Sequence, residues 1–155
     1  MTESVEAFRQ RARAFIRANF EPLPPGTSLA RLRHKLTDEE ELAAVARERE
    51  MQRALFDNQL AGICFPEEYG GLGLSMDHQR AFNAEIAGFE HPKRIQVPTF
   101  TPCAAVLLDF GTEEQKQAHI PAILKGEELW MQFLSEPGGG SDAAGATTTL
   151  TGSSR

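Results

Sequence analysis

The stretch GTEEQKQAHIPAILKGEELWMQFLSEPGGGSD, residues 111–142, changes character part-way along, and that change decides the fold. Its first half is helical. Thr112 stands where an N-cap belongs, Glu113 and Glu114 fill a first turn whose dipole favours carboxylates, and Gly126 follows Lys125 as a stop. Pro121 is expected to split this segment. Beyond Gly126, ELWMQFLSE (128–136) is aromatic and branched and reads as a strand, and ATTTLTG (146–152) reads as another. Two strands need a third, or a helix to pack on, before they are stable. The expectation is an all-α fold: a helical domain over residues 1–127, followed over 128–155 by the first strands of an incomplete β-domain.

Working back from residue 111, the helical signals continue. Val5, Phe8, Ala12, Phe15 and Ile16 recur at steps of three and four, one apolar stripe on a helix over 2–20, which the prolines of EPLPPGTS then stop. TDEE announces a second helix over about 38–59, with Thr37 as cap and Glu40 in capping-box position, and Gly62 lies where it would end. FPEEYGGLGLS (65–75) is a glycine-rich turn around the single tyrosine, Tyr69, read as structural. Ser75 can cap a third helix over 76–89, Pro92 is a stop, and a short apolar helix is expected over 102–110.

The composition limits the function. With 41% hydrophobic and 25% charged residues the chain is an ordinary soluble globular sequence, and its net charge of −6 argues against a nucleic-acid partner. Residues 1–35 are locally basic, but Glu3, Glu6 and the lack of serine-rich flanks count against a transit peptide. The longest apolar run, Ala104 to Leu108, is far too short to span a bilayer. Cys64 and Cys103 are too far apart for a CxxC motif and make no disulfide framework, which fits a reducing cytoplasm. The four histidines show no metal-ligand spacing, and no metal site is expected.

Gly138, Gly140 and Ala143 spell GxGxxA, a form of the dinucleotide fingerprint, yet AAGATTTLTG is a poor helix former, and the acidic residue expected about 20 positions later would fall past Arg155. A Walker loop fails for want of a Lys-Ser or Lys-Thr pair. What remains is a turn rich in backbone donors, between Ser135 and Ser141, able to hold anionic oxygens.

Three separated stretches, FPEEYGGLGLS at 65–75, FGTEEQKQAHIPAILKGEE at 110–128 and WMQFLSEPGGGSD at 130–142, together resemble the acyl-CoA dehydrogenase family, in its order and spacing. Residues 1–60 match mainly as helical pattern. The resemblance implies an N-terminal helical domain, a middle β-domain and a C-terminal four-helix bundle, with FAD bound between domains and between subunits. It implies that the segment from Gln132 to Ser141, Gly140 included, runs along the flavin. The positions of Gln132 and Leu134 line the isoalloxazine ring, Ser135 meets it through its hydroxyl and amide, and Ser141 also touches the acyl-CoA substrate. A donor aimed at a flavin nitrogen stabilises the charge of the reduced ring. The family's base is a carboxylate of the C-terminal bundle, which nothing here matches, so no residue of this chain, Glu136 included, is assigned a catalytic role.

The expected function is FAD-dependent α,β-dehydrogenation of an acyl-CoA thioester to the enoyl-CoA, with electrons passing to an electron-transfer flavoprotein. This chain would supply part of the site, and a homo- or hetero-oligomer would complete it. Alone it is expected to be inactive. Two alternatives stand beside this: a non-catalytic helical module pairing with a full-length relative, and another flavin enzyme of the same fold, an acyl-CoA oxidase or nitroalkane oxidase.

Overall fold

A computed structural model describes residues 3–24 and 36–132, and among them the architecture is all-α with no strand. Helix α1 (Val5–Asn19) begins where the Ser4 hydroxyl accepts the amide of Ala7 at 3.2 Å, and it buries Phe8, Ala12 and Ile16 as the stripe requires. That stripe faces α3 (Met76–Ile86). Burying each such phenylalanine or isoleucine contributes about 1.5–3 kcal/mol. Arg13 reaches across to Glu85 with two bonds of 2.8 Å.

Helix α2 (Asp38–Asp57) starts with the expected capping box: Thr37 Oγ1 accepts from the Glu40 amide at 3.2 Å while Glu40 Oε2 accepts from the Thr37 amide at 2.8 Å. It ends earlier than expected. Gln59 rather than Gly62 closes it, in the left-handed conformation with φ of 56°, and the amides of Gln59 and Leu60 bond back to Phe56 and Leu55. That pair of bonds is a Schellman closure. Gly62 serves a different need, because a Cβ there would meet Leu124 Cδ1 at 2.7 Å. The turn that follows folds on itself around the short 3₁₀ helix Glu67–Tyr69, through Leu72 to Gly62, Gly73 to Phe65 and Leu74 to Ile63. Tyr69 is buried at its centre.

Ser75 precedes α3 but does not cap it with its hydroxyl, which instead lies 2.9 Å from Nδ1 of the buried His78. The helix stops at Ile86, short of Phe89. Gly88, with φ of 89°, turns the chain so that the Leu23 amide bonds Gly88 and the Glu90 amide bonds Glu21, a single bridge between Pro22 and Phe89.

The region after Pro92 departs most from expectation. Pro92 stops nothing beyond α3: it is the N-cap of α4 (Lys93–Pro98), which passes through a π turn (Thr99–Ala104) directly into α5 (Ala105–Phe110). The acceptor that starts α4 comes from another helix, Glu48 of α2, whose Oε2 accepts the Arg94 amide at 2.8 Å. Burial pushes the Glu48 carboxyl above the usual carboxylate range. Helix α6 (Glu113–Leu124) has its capping box between Thr112 and Gln115, and it is not split at Pro121. Ile120, Ile123 and Leu124 are buried around that proline, and their combined burial outweighs the roughly 3 kcal/mol an interior proline costs.

Among the described residues the core has two apolar clusters. One centres on Phe8, Ile16, Leu55 and Phe82 between α1, α2 and α3. The other centres on Tyr69, Leu107, Ile120 and Leu124 around α5 and α6. Residues 128–132 leave α6 without helix or ladder, so the expected strand has no strand partner among the described residues. The stretch ATTTLTG lies outside them.

Candidate functional site

An apolar groove runs along the outer side of α5, between Pro102, Val106 and Phe110 on one wall and Trp130, Met131 and Gln132 on the other. Its side chains are unusually open for their size: Phe110 is 83% exposed, Met131 62% and Val106 54%. The wall from α5 exists because Leu107 turns inward onto α6, which leaves 106 and 110 outward on the same helix. The other wall is held from beneath. Trp130 Nε1 donates to Glu128 Oε2 at 2.8 Å, and the same oxygen lies 3.0 Å from His119 Nδ1. The His119 and Trp130 rings meet edge to face at 5.1 Å.

Of the five residues expected to hold cofactor or substrate, the structure describes one. Gln132 stands exposed at the rim of the groove. Leu134, Ser135, Gly140 and Ser141 lie outside the described residues. A flat apolar wall with a carboxamide at its edge is chemistry that fits an amphipathic ligand, either an isoalloxazine ring or an acyl thioester. Sequence reasoning missed Val106 and Phe110 as groove residues. AAVLLDF is apolar at nearly every position, so no periodicity separates its inner from its outer face.

The remaining polar clusters are structural. Tyr69 donates to Glu113 Oε2 at 2.9 Å, and that bond to a carboxylate pushes the phenol up to about 12. Gln117 and then Tyr69, both donating to Glu113, hold its carboxyl below the usual range. His78 is closed between Ser75 Oγ and the Glu3 carbonyl, and burial lowers His91. Among the described residues no group of three or more His, Cys, Asp or Glu is placed to hold a metal, and no helix is long and apolar enough to cross a membrane.

The helical layout is that of an acyl-CoA dehydrogenase N-terminal domain. The model of that family, "Acyl-CoA dehydrogenase, N-terminal domain", matches residues 2–127, and the chain belongs to the family. Acyl-CoA dehydrogenase IpdE1 of Mycobacterium tuberculosis (strain ATCC 25618 / H37Rv) is 40% identical over 90 residues, 58% of this chain and 23% of that protein. Acyl-CoA dehydrogenase FadE34 of the same organism is 36% identical over 111 residues, 70% of this chain and 15% of that protein. A solved structure of the "Tcur3481-Tcur3483 steroid ACAD" is 30% identical, with 93% of this chain and 34% of that one covered, and superposes with a TM-score of 0.58. The chain spans less than a quarter of the length of these two curated relatives.

Proposed function

We propose that this chain contributes the N-terminal helical domain (1–127) and the opening of the middle β-domain (128–155) to a FAD-dependent acyl-CoA dehydrogenase, and with them one wall of the flavin and acyl-CoA site. The observation that carries the reading is the open groove beside Gln132 in a chain of this family, since an exposed apolar wall of this kind calls for a ligand or another domain to cover it. When bound, FAD supplies a hydride acceptor for the β-hydrogen of the acyl thioester. The chain's own residues do the rest of what this wall can do. Phe110, Val106 and Met131 exclude water from one side, Gln132 offers donor and acceptor at the edge, and Leu134, Ser135, Gly140 and Ser141 continue the same segment along the ring. Ser141 contacts the acyl-CoA. The base that takes the α-proton is contributed by chain other than these residues.

The solved neighbour carries a double name, Tcur3481-Tcur3483, and is called a steroid ACAD. On that ground the narrower form of the proposal is an assembly of two different polypeptides acting on a steroid-derived acyl thioester, with an electron-transfer flavoprotein as acceptor. Two free cysteines fit a cytoplasmic setting. A non-catalytic module within such an assembly is the second reading, supported by the same double name.

The test is expression of the complete reading frame that contains these residues. The product is expected to be yellow and to bleach when acyl-CoA is added, with dye reduction across a series of fatty and steroid thioesters. A folded, complete product that neither retains flavin nor reduces dye would overturn the catalytic reading. The 155-residue chain by itself is expected to be colourless, because one segment and one wall give few contacts against the freedom lost on binding.

A further inference from the structure

We propose that Thr99 is a positioning residue for the site segment: with the π turn it opens, it sets the register in which residues 128–132 leave α6, and therefore where Gln132 stands. This rests on the reading of residues 132–141 as part of the flavin and acyl-CoA site. It concerns contacts that reading does not use.

The sequence explains the π turn. In a regular helix the amide of residue 102 would bond the carbonyl of residue 98, but Pro102 has no N–H and its ring crowds that carbonyl. The helix widens instead, and the Pro98 carbonyl accepts from the Cys103 thiol at 3.4 Å. Single π turns inside helices recur at functional sites. Here the turn begins with Thr99, which is 1% exposed and points at the segment leaving α6.

The Thr99 hydroxyl donates to the Trp130 carbonyl at 3.0 Å and also lies 3.3 Å from the Trp130 amide, which donates to it. One side chain thus satisfies both backbone groups of one residue, as a paired strand would. Glu128 holds the indole N–H of that residue and His119 its ring edge. Trp130 is fixed by backbone and side chain together, two positions before Gln132. An extended chain advances about 3.3 Å per residue and alternates faces. A slip of one residue at Trp130 would therefore move the Gln132 position by that distance and turn its side chain to the other face. Misplacement of about 1 Å costs on the order of a hundredfold in rate at a catalytic site.

Trp130 is the sole tryptophan, so its fluorescence reports the surroundings of this one residue. In the 155-residue chain, Thr99→Val is expected to raise acrylamide quenching of Trp130 several-fold while the helical circular dichroism stays intact, and Thr99→Ser is expected to restore the original value. Equal quenching in wild type and Thr99→Val would overturn the proposal. Should Thr99→Val fail to fold, hydrogen exchange of the wild-type Trp130 amide decides: slow exchange supports the contact, and open-chain exchange overturns it. In the complete reading-frame product, Thr99→Val is expected to lower flavin retention and raise KM while the helical circular dichroism stays intact, again rescued by serine. Unchanged flavin retention and KM in a Thr99→Val protein that does bind flavin would remove the positioning role. A wild type without flavin, in which Thr99→Val still frees Trp130, would refute the site reading while supporting the contact.

Discussion

Replacing Gln52 by leucine tests how the end of α6, and with it the start of the site segment, is held. Gln52 is 0% exposed, its Nε2 donates to the Leu124 carbonyl at 2.7 Å, and its Oε1 accepts from Gln96 Nε2 at 2.7 Å. One side chain on α2 thereby ties α6 to α4. Leu124 is the last residue of α6, so its carbonyl is among those a helix cannot satisfy internally. Gln52→Leu keeps most of the volume and removes both bonds. The orphaned carbonyl costs about 1–3 kcal/mol. Gln96 is half-buried and can turn its amide to water, which adds little, and the added apolar surface returns about 1 kcal/mol. The net loss is about 1 kcal/mol. For a domain of this length each kcal/mol moves the midpoint by about 2–4 °C, so thermal melting followed by circular dichroism should show a drop of about 2–4 °C. A midpoint unchanged from wild type would refute the reasoning, because it would mean that the carbonyl finds water or another donor.

Tyr69, the only tyrosine, should ionise near pH 12 in a spectrophotometric titration, well above a free phenol. The folded-state value is raised, so the stability its bond to Glu113 brings is complete below about pH 10 and lost between about pH 10 and 12. Tyr69→Phe should flatten that part of the stability profile; an identical profile would count against the bond. Gly71→Ala should cost about 3 kcal/mol or more, since a Cβ there would meet the Phe65 carbonyl oxygen at 2.2 Å. Gly88→Ala should cost only about 1–2 kcal/mol from its left-handed backbone, as nothing lies within 4 Å of its Cβ. Urea denaturation of both variants checks this, and equal losses would contradict it.

Much of the fold is legible because its helix starts are written locally. Thr37 with Glu40, and Thr112 with Gln115, place two N-termini within four residues of sequence each. What could not be read depends on partners far along the chain. Helix α4 begins under Glu48, 46 residues away, and the helix expected from 102 continues from α4 through a π turn that contains Pro102. Ser75 looks like a cap, and His78 draws its hydroxyl away. The site divides the same way. Gln132 is singled out by a motif and lies at the rim of the groove, while the groove itself joins α5 to residues twenty or more positions later, and Thr99 meets Trp130 across 31.

Phe56 packs at the margin of both apolar clusters, with Lys125 5.6 Å above its ring. A side chain shared in this way makes the two clusters thermodynamically one. If the α5–α6 half loosens, Phe56 loses a wall and the α1–α3 half loses a neighbour, so neither half has an independent melting step. The domain is expected to melt as an all-or-none unit: calorimetric and van't Hoff enthalpies should coincide, and amides in α1 and α6 should open to exchange together.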